Sequence, residues 1–346
     1  MSRFLQLHLL TFYPPANLNR DDTGRPKTAV IGGTTRLRIS SQALKRAWRT
    51  SDVFRTALEG HLGSRTQRLG EEVQKHLLDQ GVTAAKAIEI AVAIAGVFGK
   101  PKAVTDANPA RIEQLAFVAP AERAAALALA ERLAAGEKLD PKTAGLLGRS
   151  DTAADIAMFG RMLANDPDYN REAAVQVAHA VTTHAVPIED DFYTAVDDLK
   201  RPSEDAGAGF IGEQGFGAGV FYLYACVDKE LLARNLGGDT KLAATALAAL
   251  TEAMAIVSPG GKQASFASRA RAHYLLAELG DAQPRTLGAA FTDAAHGTNP
   301  LQHSVKRLRE WRMQMDAAYG ACWTTETEMQ VGGAGTLAQV LAFVGS

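Results

Sequence analysis

The chain has 346 residues, 47% hydrophobic and 22% charged, enough for one large domain or two modest ones and too apolar for a disordered segment. Lysine and arginine total 37 against 38 acids, a net charge of −1, which argues against a free nucleic-acid binder unless the charges are unevenly spread. Two cysteines, Cys226 and Cys322, exclude a disulfide framework, match no metal-ligand spacing and fit a reducing cytoplasm.

Leu5 to Phe12 reads as a strand with Leu5, Leu7 and Leu9 on one face. No signal-peptide layout precedes it. A polar, basic loop follows from Asn17 to Thr28. Val30 to Ile39 reads as a second strand, interrupted by Gly32-Gly33, in which Arg36 and Arg38 share a face. Ser40 or Ser41 then N-caps a helix that runs through Gln42 to Arg49. Residues 52–172 are rich in Ala, Leu and Glu, with breaks at Pro101, Pro109, Pro120 and Pro141, and read as a helical insertion. The most apolar stretch, Ile90 to Phe98, is too short to span a bilayer. A soluble, cytoplasmic protein without membrane contact is expected.

Val175 to Ala185 returns to strand character, with Val175, Val177, His179, Val181 and Thr183 on one face. A glycine-rich stretch at about 187–219 predicts a projecting hairpin, and Val220 to Val227 a strand returning to the sheet. Thr240 to Val257 reads as an amphipathic helix with Leu242, Leu247, Leu250, Met254 and Val257 as its stripe. A short strand is expected around Ala270 to Leu276. Pro300 opens a last helix to Tyr319, with Val305, Leu308, Met315 and Tyr319 as its buried side. This order predicts an α+β fold on a split sheet.

The charge is uneven. From Leu18 to Arg49 stand eight cations (Arg20, Arg25, Lys27, Arg36, Arg38, Lys45, Arg46 and Arg49) and two acids, Asp21 and Asp22. Lys45 and Arg49 are four apart on the predicted helix, a spacing that costs about 0.2–0.5 kcal/mol for like charges. Cations also sit poorly near a helix N-terminus. A polyanion would remove both penalties, and the helix start offers N–H groups suited to phosphate. The same pattern also describes a solvated basic face. Gly260-Gly261-Lys262-Gln263, before Arg269 and Arg271, reads as a second basic site or as an ordinary surface turn.

The run LNRDD, then Lys27, the glycine pair and R-x-R-I-S-S-Q-x-L-K-R-A resembles the CasC family, the backbone subunit of the type I-E CRISPR surveillance complex, Cascade. The resemblance continues at IAMFGRM (Ile156 to Met162), AHAVTTHAVPIEDDFYTAVDDL (Ala178 to Leu199), GVFYLY, NLGG and PGGKQ. It covers nearly the whole chain and is weakest in the helical insertion. It implies a modified RRM-like (ferredoxin-like) palm, formed by 1–51 and 173–346, a helical fingers insertion at 52–172 and a β-hairpin thumb at about 187–219. It implies a non-enzymatic subunit, in several copies head to tail along a CRISPR guide RNA, beside other Cascade subunits and supporting guide pairing with target DNA. By motif match, Arg20, Lys27, Arg38, Ser40, Gln42, Lys45, Arg46, Arg49 and Lys262 would bind RNA, with Met162 beside the kink and Phe192, Tyr193 and Thr194 on the thumb. Family members often carry Lys at the position of Arg49 and Trp-Phe at Phe192-Tyr193. No RNP1 consensus is present, so ordinary RRM stacking is not implied.

The predicted thumb carries eight acids, including Glu189, Asp190, Asp191 and Glu213, against Lys200 and Arg201. It cannot hold RNA by charge. Phe192 and Tyr193 read as apolar wedges or as sheet-anchoring core. A basic palm and an acidic projection are complementary between copies, and a heterologous contact that does not close gives a filament.

No cofactor or metal is expected. GGTTR lacks the Gly-Lys-Ser/Thr of a P-loop, His179 and His184 match no zinc spacing, and no motif marks a nucleophile. The enzymatic alternative is metal-dependent RNA cleavage at Asp21/Asp22. A third reading is a stand-alone RRM-like RNA binder.

Overall fold

Alternating leucines place β1 (Phe4–Ala16) inside a mainly antiparallel sheet. The computed structural model describes residues 2–105, 109–141, 144–148, 153–163, 167–195, 198 and 210–346. Asp197, Lys200, Arg201, Glu204 and Asp205 of the predicted hairpin lie outside them. The elements after β1 are β2 (Thr28–Ile31), β3 (Thr34–Ile39), α1 (Ser41–Arg49), α2 (Asp52–Ala57), β4 (Ser64–Thr66), α3 (Leu69–Asp79), α4 (Ala84–Phe98), β5 (Ala116–Val118), α5 (Pro120–Ala134) and α6 (Ala154–Phe159). Then come β6 (Val175–Val177), β7 (Ala180–Thr182), β8 (Glu189–Ala195), β9 (Phe210–Asp228), α7 (Lys229–Asn235), α8 (Thr240–Ile256), α9 (Gln263–Phe266), β10 (Tyr274–Gly280), α10 (Pro300–Tyr319), β11 (Thr325–Gln330) and α11 (Leu337–Val344). The fold is α+β.

Two compact units share the chain. The first comprises Met1–Phe54, Val177–Cys226 and Ala248–Ser346. It holds the sheet β11-β10-β1-β9-β7-β3-β2, with β8 hydrogen-bonded to β9 as a hairpin. Both faces of β1 are covered: Leu5, Leu7 and Leu9 are buried on one, and Gln6, His8 and Leu10 on the other. On the second face Leu10, Tyr222, Tyr274, Leu276 and Phe291 pack with Val305 and Leu308 of α10.

Buried charge interrupts this apolar face. Glu278, paired in register with Gln6, accepts from Arg312 Nε at 2.7 Å and from Arg285, and meets His8 Nε2 at 3.2 Å. With Nε2–H donating to Glu278, His8 Nδ1 accepts from the Tyr222 hydroxyl at 2.9 Å. Burial pushes the Glu278 carboxyl up, but the bonds from His8 and Arg285 outweigh it and hold it at about 2. Burial holds His8 below its ordinary value despite that carboxylate.

This network explains the first departure from the predicted elements. The inward line of α10 is Leu308, Arg312 and Asp316 at helical spacing, whereas Met315 is half-buried and Tyr319 is 83% exposed. The strand expected at Ala270 to Leu276 is shifted to β10, because Ser258 Oγ bonds both the N–H and the C=O of Ala270. Its end, containing buried Glu278, does not read as strand core. Predicted strand Val175 to Ala185 is two short strands, and Val30 to Ile39 is the hairpin β2–β3. Helix α10 is followed by β11 and α11, which polar alternation in TETEMQ concealed.

The second unit comprises Arg55–Gln176 and Val227–Leu247. Helices α3, α4 and α5 pack around Leu69, Val73, Leu77, Ile90, Ile94 and Leu129, with Ala87, Ala91 and Ala126 permitting close approach. Gly70 permits it too: a Cβ there would lie 2.1 Å from the carbonyl oxygen of Ala110. Arg161 and Glu122 form an ion pair of 2.6 Å, both side chains buried. Among the described residues no helix is long and apolar enough to cross a membrane.

The buried carboxylate and the histidines give two predictions. Glu278→Ala removes the fully buried carboxylate shared by His8, Arg285 and Arg312, leaving the arginines only Asp316 and Glu326 as carboxylate partners among the described residues, and is expected to cost up to about 3–5 kcal/mol in denaturant unfolding; a loss below about 1 kcal/mol would contradict the network's role. Burial, first of all, also keeps His179 and His184 below their ordinary values. The folded chain therefore binds fewer protons than the unfolded chain once pH falls below about 6.5. The stability these histidines contribute is complete above that pH, so the melting temperature should fall as pH is lowered from about 7 to about 5. A flat profile would contradict it.

Candidate nucleic-acid interface

The basic loop is ordered by its own polar residues. Asp21 Oδ1 accepts from Thr23 N, Thr23 Oγ1 and Arg25 N at 2.9, 2.7 and 3.0 Å. The Thr23 hydroxyl, first among these, holds the Asp21 carboxyl below its usual range. Arg20 and Pro26 form an antiparallel bridge across the loop. Asn19 accepts the Ser40 N–H at 2.8 Å, and its carbonyl accepts Lys27 N at 2.8 Å. The loop is thereby tied to the start of α1. Asp21 is spent on this turn; Asp22 is exposed.

Helix α1 follows from its sequence. The Ser40 hydroxyl accepts from Ala43 N at 3.3 Å, and Leu44 and Trp48, four apart, bury one face. Ser40 itself is only 7% exposed. The helix ends at Arg49, so Arg46 and Arg49 occupy its last turn. There the helix dipole favours cations, which removes the predicted N-terminal penalty for these two. Gln42 and Arg46 are exposed, and Lys45 and Arg49 half-buried.

Arg36 leaves the cluster. It is fully buried and donates to Thr34 Oγ1 at 2.9 Å, the Thr182 carbonyl at 3.0 Å and the Phe291 carbonyl at 3.1 Å. Both carbonyls belong to buried residues, so this arginine ties β3 to β7 and to the Phe291 turn rather than facing a ligand. Arg38, two residues on, is half-buried, donates to the Thr28 carbonyl at 3.1 Å and to His179 Nδ1 at 2.8 Å. After burial, Arg38 and Lys27 lower the His179 pKa, and the Arg38 N–H donates to the Lys27 carbonyl at 2.8 Å, which places Lys27 in the same group.

Lys262, predicted as part of a separate basic site, joins the first. A cleft of about 330 Å³ is lined by Arg20, Thr23, Arg25, Tyr193, Glu213 and Lys262, among others. Gly261 makes this possible, since a Cβ there would lie 2.3 Å from the Leu18 carbonyl oxygen. Lys262 adopts φ +51°, in the left-handed region that costs a non-glycine residue about 1–2 kcal/mol. A lysine is held in strain at the mouth of a cationic cleft, a placement typical of functional sites.

The hairpin carries the aromatic residues. Phe192 and Tyr193 are 66% and 44% exposed, so neither is core. They are consecutive on β8 and point to opposite faces. Phe192 shares its face with Thr194 and its partner Ile211, which is 60% exposed. Tyr193 lies over its cross-strand partner Gly212, where a Cβ would meet the ring at 2.5 Å. The glycines of β9 act similarly further along: Gly217 leaves room for Leu37, and Gly215 for Pro26. Spacing by two from Gly215 through Gly217 to Gly219 was the sequence signal for the close approach of Leu37 and Pro26.

In the other unit Met162 is 81% exposed, beside a cleft of about 330 Å³ lined by Arg65, Leu115, Phe117 and Arg171. Buried Arg161 fixes the backbone next to it. Sequence reasoning missed Asn17 altogether. It is fully buried and donates to the Gly24 and Gly215 carbonyls at 3.0 and 2.9 Å. It precedes the run of cations and carries no charge of its own.

Residues 5–339 match the family described as CT1975-like protein. No curated protein matches the chain. A chain of a solved structure titled "CRISPR RNA-guided surveillance complex, pre-nicking" is 28% identical, with a TM-score of 0.87 over 99% of this chain and 99% of that one. A chain of another, titled "CRISPR RNA-guided surveillance complex", is 25% identical, with a TM-score of 0.62 over 97% and 92%. Because the family match runs almost from end to end, the chain belongs to the CT1975-like protein family.

Proposed function

We propose that this chain is a non-enzymatic, CRISPR RNA-binding backbone subunit of a Cascade surveillance complex of type I-E, in the manner of CasC. The observation that carries the reading is the convergence of Arg20 and Lys262 on one cleft beside an exposed aromatic hairpin. Support comes from full-length likeness to chains of RNA-guided surveillance complexes. In this reading the sheet-bearing unit is an RRM-like palm, the helical unit the fingers and β8–β9 the thumb.

Arg20 and Lys262 grip phosphates from the cleft. Lys27 and Arg38 extend the track, and Gln42, Lys45, Arg46 and Arg49 offer further contacts from α1. Ser40 acts by holding α1 and the loop together. Phe192 with Ile211 presents an apolar patch on one face of the hairpin, beside Asp190 and Glu213, and Tyr193 stands on the other, so a strand of RNA wedged by the hairpin meets a different ring on each side. Met162, exposed on the helical unit, is a further RNA contact in this reading. Copies add head to tail, the exposed acids Glu189 and Asp191 facing the next copy's cations. The guide so held pairs with target DNA, and other Cascade subunits complete the complex.

Phosphate contacts leave a salt signature. Arg20→Ala and Lys262→Ala are each expected to reduce the slope of log affinity against log salt by about 0.7 on single-stranded RNA, with little dependence on sequence. Unchanged slopes would contradict the cleft's role. On a long guide the protein should load in multiples with a regular nuclease footprint, and matched RNA with Mg²⁺ should stay uncut. Saturation by one copy on a long RNA would favour a stand-alone binder; site-specific cuts abolished by Asp22→Ala would favour an enzyme.

A further inference from the structure

We propose that Asn17 and Arg25 are positioning residues that lock the hairpin to the basic loop, and so set the distance between the phosphates the loop grips and the bases the hairpin meets. The second half of this claim rests on the RNA-binding reading above; the first half concerns the protein alone.

Three contacts join the two elements. The Asn17 amide donates to Gly24 in the loop and to Gly215 in β9, bridging them with one buried side chain. Arg25 reaches Asp190 Oδ1 at 3.0 Å and Glu213 Oε1 at 3.8 Å. Asp190 lies on β8 and Glu213 on β9, on the same face of the hairpin, so one guanidinium spans both strands. Pro26 packs on Gly215, where an added Cβ would stand 3.1 Å from its Cδ.

These contacts divide the loop's cations by role. Arg20 lines the cleft, and no ion pair of its own appears among the described residues. Arg25 lines the same cleft but is turned to two carboxylates. An exposed ion pair of this kind is weak, whereas a buried amide bridging two carbonyls is costly to remove. Asn17 thus supplies the hold, and Arg25 sets the direction of the hairpin across both its strands. Displacing either leaves Arg20 and Lys262 able to bind phosphate while the aromatic rings lose their register with it.

The test uses the full chain. In Arg25→Gln, amide exchange in 189–195 and 210–216 should quicken by about three- to fivefold, with β1 and β10 unchanged. Asn17→Ala should quicken it by about tenfold or more; if that variant does not fold, the exposed Arg25 site carries the test. On long guide RNA, Arg25→Gln should blur the footprint repeat and leave the salt slope intact. Arg25→Lys, which keeps a cation between Asp190 and Glu213, should retain most of both exchange protection and repeat. Unchanged exchange would overturn the lock. A slope reduced by about 0.7 would make Arg25 a phosphate contact instead, and a sharp footprint despite quickened exchange would overturn the spacing claim. If the unaltered chain fails to load on RNA, the functional reading and the spacing claim fall together, while exchange still decides the lock.

Discussion

Cations gathered into one cleft repel one another, and the fold must hold them there by something other than their own attraction. Here the holding is done by backbone, by one loop carboxylate and by uncharged amides. Asp21 folds the loop onto itself, Asn19 fixes it to α1, and Asn17 fixes it to β9. Gly261 lets the Lys262 turn close on the loop's base, and Lys262 accepts a left-handed backbone to complete it. Strain and like-charge repulsion on this scale, on the order of 1–2 kcal/mol for the lysine backbone alone, are offset by the large core of the same unit. In the proposed function, an arriving phosphate chain would turn the repulsion into binding energy by releasing counterions.

The near-neutral total charge hides a division of labour. Arg36, Arg312 and Arg285 are consumed inside the sheet-bearing unit, and Arg161 inside the helical one. Each satisfies carbonyls or carboxylates that burial would otherwise leave unpaired. The arginines of the surface loop do different work at similar sequence spacing. Counting cations therefore overstates the interface, and only their partners separate a structural arginine from a binding one.

Much of the fold was legible from local rules. The β1 alternation, the Ser40 cap, the Leu44–Trp48 face and the glycine-rich hairpin all follow from period, capping and close approach. What escaped depended on contacts distant in sequence. Arg36 looked like Arg38 because strand periodicity sees a face and not what covers it. The polar inward line of α10 was invisible because Arg312 and Asp316 read as surface until Glu278 is known to lie beneath them. Lys262 and Arg20 stand far apart in the chain, and nothing in either motif announces the other. Asn17 is a single neutral residue whose role exists only once the hairpin returns to it. The opposite facing of Phe192 and Tyr193, by contrast, was available from strand periodicity once β8 was recognised as a strand.

The central claim is that RNA runs across the surface shared by the basic loop, the Lys262 turn and the hairpin. Photo-crosslinking of bound single-stranded RNA, followed by peptide mapping, tests it most directly. The account predicts crosslinks in the peptides that contain Arg20, Tyr193 and Lys262. Crosslinks confined to α10 and β11, with those three peptides unmodified, would contradict it.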